Sequence, residues 1–222
     1  MPRLSDLLQY LASPGLEDIW LLLDIKIDND AETIMRRIAE TIETVAPSRK
    51  PWSERILLGC WSAKYLPLAR KYLPDYHIAL ICIDLSYARQ FLSVPNVFFN
   101  VNQKILMGPL GRNFLEEARA ANRLVFVWTV NKTSLMRWSI RKGVDGVITD
   151  DPAVFKAIRD NWDGGGTDSD PVTMSDRLES LLLSAVVLLF GWLLKLKYFP
   201  PVKKFVPRET NGKGNNSIFM KS

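Results

Sequence analysis

The chain has 222 residues, 47% of them hydrophobic and 24% charged, with two cysteines and one histidine. These values describe a globular protein with a real core and exclude disordered, collagen-like and disulfide-stapled classes. Residues 177–222 hold eight Lys or Arg against two Glu, while residues 1–176 hold 21 basic and 22 acidic side chains, so the basic balance belongs to the tail and argues against nucleic acid as a partner. A single histidine also excludes two-histidine acid–base catalysis and His-rich metal sites within one chain.

In chain order, LSDLLQYLA (4–12) is expected as a helix that stops at Ser13-Pro14-Gly15, with no signal peptide pattern at the start. IWLLLDIKI (19–27) is a continuous apolar run ending in charge, the pattern of a buried parallel strand. AETIMRRIAETIETV (31–45) is an amphipathic helix with Asn29 or Asp30 as its cap. Then come strand RILLGCW (55–61), helix 62–73, strand HIALICI (77–83), helix 85–92 and strand NVFFNVN (96–102). Helix 111–123, strand LVFVWTVN (124–131), helix 132–143, strand and loop VDGVITDDP (144–152) and helix 153–162 complete the series. Strands and helices alternating with short connections predict an α/β parallel sheet with right-handed crossovers.

Residues 163–179 open with a Gly/Asp/Ser/Thr-rich stretch and are expected to be a flexible linker. Ser180 to Leu194 is uncharged and reaches roughly 22 Å as a helix, short of a bilayer core. Counting on to Phe199, with Lys195 and Lys197 snorkelling, makes 180–199 a marginal span or a one-leaflet anchor. Lys195, Lys197, Lys203, Lys204 and Arg208 would face anionic lipid, and residues 200–222 are expected to be a disordered basic tail. The expected setting is intracellular and membrane-associated.

In parallel α/β folds the carboxyl ends of strands carry the site. Asp24 and Lys26, two residues apart, point to one face. They hold a divalent cation beside a phosphate oxygen, or simply end the strand in solvent, or form an ion pair capping the barrel. Trp128 is either a pocket wall or core, and Asp150 and Asp151 either belong to a site or cap the helix at Pro152. His77 precedes its strand and is expected at the surface. Cys60 and Cys82 read as small buried hydrophobes. Gly108 and Gly111 fall in a loop that matches no phosphate-binding motif.

LLLDIK, VFVWTVN and GVDGVITDDP, in this order and spacing, resemble the second half of the glycerophosphodiester phosphodiesterase family. Asp at 24 and the apolar tail are most similar to the fungal phosphatidylglycerol-specific phospholipase C branch. The resemblance implies a TIM barrel and metal-dependent phosphodiester hydrolysis, with Mg²⁺ or Ca²⁺ as cofactor. It makes Asp24 a metal ligand, Lys26 the phosphate contact, Trp128 a pocket lining residue and Asn131 part of the substrate site. It implies a membrane phospholipid, phosphatidylglycerol-like, as partner and substrate. The family's His-Arg-Gly, Glu-x-Asp and second His-Asp segments have no counterpart. A complete barrel needs about 250 residues, so residues 1–162 are expected to form a partial TIM barrel lacking its first strands, truncated and without hydrolysis by this chain alone. The alternatives are a non-catalytic, membrane-anchored phospholipid-binding module and a half-barrel completed by a partner chain.

Overall fold

The computed structural model describes residues 2–163 and 172–206. Residues 164–171 of the stretch read as linker, and residues 207–222 of the tail, lie outside them.

Six strands are ordered sequentially from first to last: β1 (Leu21–Ile25), β2 (Ile56–Cys60), β3 (His77–Cys82), β4 (Val97–Asn102), β5 (Val125–Trp128) and β6 (Gly146–Val147). α1 (Leu4–Leu11) precedes them, α2 (Ala31–Glu43), α3 (Trp52–Arg55), α4 (Tyr65–Tyr72), α5 (Leu85–Ala88), α6 (Gln103–Met107), α7 (Gly111–Ala120) and α8 (Thr133–Lys142) run between them, and α9 (Pro152–Asp160) follows. Sequential parallel strands alternating with helices are the barrel pattern, here with six strands among the described residues, a partial TIM barrel. The α/β reading of the sequence holds. The two short helices α3 and α6 were not expected from it.

The chain divides into two compact units, the first holding residues 1–81, 94–97 and 196–222, the second residues 82–93 and 98–195. In the first unit β1 pairs with β2 and β2 with β3, all parallel, with Asp24 opposite Gly59 and Gly59 opposite Ala79. β2 and β3 are buried end to end, as expected of strands covered on both faces. Helix α2 starts where the Asp30 carboxylate accepts the Thr33 N–H, and it buries Met35, Ile38, Ala39 and Ile42. Gly59 has no room for a side chain, because a Cβ there would lie 2.8 Å from the Leu23 carbonyl oxygen. The strand needs glycine at that point to approach β1.

Arg55 fixes the segment that leads into β1. Its buried guanidinium donates to the carbonyls of Leu11 (2.9 Å), Leu16 (2.7 Å) and Ile19 (3.0 Å). The Trp52 ring lies 4.8 Å from its Cζ. His77, the first residue of β3, is buried rather than at the surface, because β3 is enclosed along its whole length. Burial pushes its pKa down. Cys60 and Cys82 are buried free thiols, with pKa values raised by desolvation, as expected of small hydrophobes.

In the second unit β4–β5 and β5–β6 are parallel, with Asn102 opposite Trp128 and Phe126 opposite Gly146. Helix α8 ends at Gly143 in the left-handed conformation, φ 59°. Gly111 begins α7 under the Leu106 carbonyl, and a Cβ would meet that oxygen at 1.8 Å.

A further helix, α10 (Met174–Lys197), begins inside the stretch expected to be linker. Thr173 and Asp176 cap it reciprocally: the Thr173 hydroxyl donates to Asp176 Oδ2 over 2.7 Å and accepts the Asp176 N–H over 3.1 Å. The spanning form of the expected anchor is not found: among the described residues no helix is long and apolar enough to cross a membrane. The side chains of residues 191–197, Lys195 and Lys197 included, lie outside the described residues. The tail is not wholly irregular either, since a 3₁₀ turn spans Val202–Lys204 with Val202 buried.

Candidate functional site

In the first unit the sequence-expected pair sits at the carboxyl end of β1. Asp24 is the penultimate residue of the strand, and Lys26 directly follows its end. Lys26 Nζ lies 2.5 Å from Asp24 Oδ2, so the two form an ion pair, one of the arrangements left open by the sequence. Both side chains are substantially exposed, 58% for Lys26 and 43% for Asp24. The other carboxylate oxygen, Oδ1, accepts the indole N–H of Trp61 over 2.8 Å. Lys26 Nζ is 5.4 Å from the centroid of the same ring, within cation–π range.

This cluster is built by register. Asp24 lies opposite Gly59, so Trp61, two residues on, reaches the level of Lys26 on the same face. The backbone of Lys26 is held in turn: its carbonyl accepts the Tyr65 hydroxyl of α4 over 2.8 Å and the Asn29 side-chain amide over 3.1 Å. Lys64 Nζ donates to the Ile27 carbonyl over 3.2 Å. Burial pushes the Tyr65 phenol up to about 12, so it stays a donor across the physiological range. An ammonium on a strand end whose backbone is pinned by two side chains is a pre-placed point charge for an anion.

Trp61 was not singled out by the sequence reading, although an aromatic residue closing the strand after β1 was the available signal. Arg55 was missed as well, because an arginine at the head of an apolar run reads as a surface residue.

A hard divalent cation takes six or more oxygen ligands, usually from several carboxylates. Asp24 already spends its two oxygens on Lys26 and Trp61. Asp30, on the following loop, caps α2 and is held below the ordinary carboxylate range by its hydrogen bonds to Thr33. No group of three His, Cys, Asp or Glu side chains suited to a metal occurs among the described residues. The residues present therefore do not fit a complete divalent site.

In the second unit Trp128 ends β5, half-buried, and donates its indole N–H to the Asn100 carbonyl of β4 over 3.0 Å. Asn131 is a clamp. Its amide nitrogen donates to Asp150 Oδ2 over 2.7 Å, while its Oδ1 accepts the Asp150 N–H over 3.0 Å and the Thr149 hydroxyl over 3.1 Å. The Asp151 N–H completes the turn by donating to Thr149 Oγ1 over 3.0 Å. Asp151 occupies the N-cap position of α9 ahead of Pro152 but makes no side-chain cap bond, and Asp150 serves the clamp. Both halves of the Asn131 amide are thus used in joining the loop after β5 to the loop after β6.

Residues 1–154 match the glycerophosphoryl diester phosphodiesterase family. A solved structure from Silicibacter pomeroyi DSS-3, described as a glycerophosphoryl diester phosphodiesterase, is 22% identical with a TM-score of 0.59, over 71% of this chain and 55% of that one. A glycerophosphodiester phosphodiesterase from Parabacteroides distasonis is 18% identical with a TM-score of 0.54, over 68% and 62% of the two chains. One from Agrobacterium tumefaciens is 15% identical with a TM-score of 0.51, over 71% and 62%. At these identities the likeness establishes the fold. The chain spans between 55% and 62% of the length of these three structures.

Proposed function

This chain belongs to the glycerophosphoryl diester phosphodiesterase family, and from that premise we propose that it serves glycerophosphodiester chemistry as a phosphate-recognising scaffold that does not turn over substrate unaided. The observation that carries this is the Lys26 ammonium, exposed at the carboxyl end of β1 and fixed between Asp24 and the Trp61 ring. An incoming phosphodiester competes with Asp24 for this cation, and the indole face shields one side of the contact from water.

Acid–base hydrolysis needs a proton acceptor for the nucleophile and a donor for the leaving alcohol. The chain's one histidine is buried at the opposite, amino end of β3. The family is generally divalent-cation dependent, whereas Asp24 stands as the one carboxylate of the cluster. Binding is therefore favoured over hydrolysis. The preferred ligand is a glycerol phosphodiester headgroup such as that of phosphatidylglycerol, a choice supported by the resemblance of the DIK, WTVN and ITDDP segments.

Calorimetric titration of the full chain with glycerol 3-phosphate and with a glycerophosphodiester tests the first half. Saturable binding that Lys26→Ala abolishes is expected, and binding unchanged in that variant would overturn the assignment. Incubation of the chain with a glycerophosphodiester and Mg²⁺ or Ca²⁺ tests the second half. Metal-dependent release of glycerol 3-phosphate by the unaided chain would overturn it.

A further inference from the structure

Helix α10 is inside out. A surface helix ordinarily turns its apolar stripe to the protein and its polar stripe to water. Here the residues facing the second unit are Asp176 and Ser180, 0% and 1% exposed, followed along the same stripe by Leu183, Ser184 and Val187. Asp176 pairs with Lys132 at 2.6 Å, and Glu179 pairs with Lys104. The Ser180 hydroxyl donates to the Lys104 carbonyl over 2.6 Å. Ser184 packs so close to Gly108 that a Cβ on that glycine would meet its hydroxyl oxygen. The outward stripe carries Leu182, Leu188, Leu189 and Phe190, between 55% and 67% exposed, with Leu178, Leu181 and Val186 beside them.

A contiguous apolar stripe of this kind marks a surface that is covered in use. Its charge indicates the cover. Both acids of the helix are neutralised by lysines of the second unit, and no Asp or Glu occurs from residue 180 to 208. In sequence the helix carries Arg177 near its start and Lys195 and Lys197 at its end. An apolar stripe on a helix whose remaining sequence charge is basic complements an anionic lipid surface.

We propose that α10 docks this protein on an anionic bilayer by lying in the interfacial plane, its polar stripe latched to the second unit and its Leu/Phe stripe embedded among the acyl chains. The latch keeps the helix lengthwise on the protein, so its long side is what meets the membrane. This attachment is independent of phosphodiester chemistry and is read without any turnover.

Co-sedimentation of the full chain with phosphatidylcholine vesicles, with and without phosphatidylglycerol, tests it. Partitioning should be about tenfold or more stronger on the anionic vesicles. The double variant Leu182→Glu/Leu189→Glu should weaken it by about tenfold or more, with an unchanged circular dichroism spectrum because both side chains point outward. Equal partitioning of variant and parent would overturn the proposal. So would a stable dimer in vesicle-free buffer that the same variant dissociates, since the stripe would then be covered by a second copy. Retention on the membrane through alkaline carbonate washing would overturn the in-plane arrangement in favour of a span.

Discussion

Trp61 donates its indole N–H to Asp24 Oδ1 over 2.8 Å, tying the residue that follows β2 to the acid at the end of β1. With Lys26 on the other oxygen, each carboxylate oxygen has a partner and Asp24 is the counter-ion of Lys26.

In the proposed scaffold Asp24 restrains Lys26 and does not serve as a metal ligand. Asp24→Asn removes the competing charge from Lys26 while keeping an acceptor for Trp61. Glycerol 3-phosphate is expected to bind more tightly, by up to about fivefold for an exposed ion pair, with no requirement for a divalent ion. A metal ligand at this position would instead give weaker, no longer metal-stimulated binding. Calorimetry with and without Mg²⁺ separates the two.

Arg55 donates to three carbonyls, of which that of Leu16 also accepts the Ile19 N–H. Arg55→Met should destabilise the fold by about 3 kcal/mol or more, since its loss strips the Leu11 and Ile19 carbonyls of this donor and removes a buried side chain from the Trp52 ring. Arg55→Lys should recover only part of this, because an ammonium cannot span three carbonyls in a planar fork. Urea unfolding of the two variants gives the comparison.

At Asn131 the charge of one atom group can be changed almost without change of shape. Asn131→Asp places a second carboxylate against Asp150 and replaces the donating amide. Thermal unfolding should be close to that of the parent in acid, where the new pair can share a proton. It should fall progressively behind as pH rises and both groups ionise. Asn131→Ala should be destabilised at every pH by about 1–2 kcal/mol.

The latch of α10 should open in acid. Lys132 first, then Thr173, hold the Asp176 carboxyl below its ordinary value against the opposing effect of burial. A depressed carboxyl contributes stability that is complete above its unfolded pKa of about 3.9 and is lost as pH falls through the lower folded value. Amide exchange in residues 174–184 should therefore accelerate selectively below about pH 4. In Lys132→Ala the acceleration should already be present at neutral pH, and it should be absent from β2 and β3.

The strands were legible because burial on both sides leaves continuous apolar runs such as IALICI, and most helices because their apolar spacing is regular. The short helices were not. Pro51 ahead of α3 and Asn102 ahead of α6 give single turns with too few residues to show a period. The start of α10 was written plainly as Thr173-x-x-Asp176, but this cap lies among small polar residues that read as linker. The Asp24–Lys26 pair was visible as two charges at one strand end. That Asp24 also meets Trp61 follows from the pairing of β1 with β2, which no local pattern contains. The burial of His77 likewise reflects the layers around β3.

Gly59 is the partner of Asp24 across the sheet and lies against the Leu23 carbonyl. Any larger residue there would push β2 outward and carry Trp61 away from the carboxylate that it steadies. In a saturation mutagenesis screen for ligand binding, position 59 would score among the most intolerant in the chain, with the profile of a contact residue. Yet it would be only the spacer that lets two neighbouring strands stand close enough for their ends to cooperate.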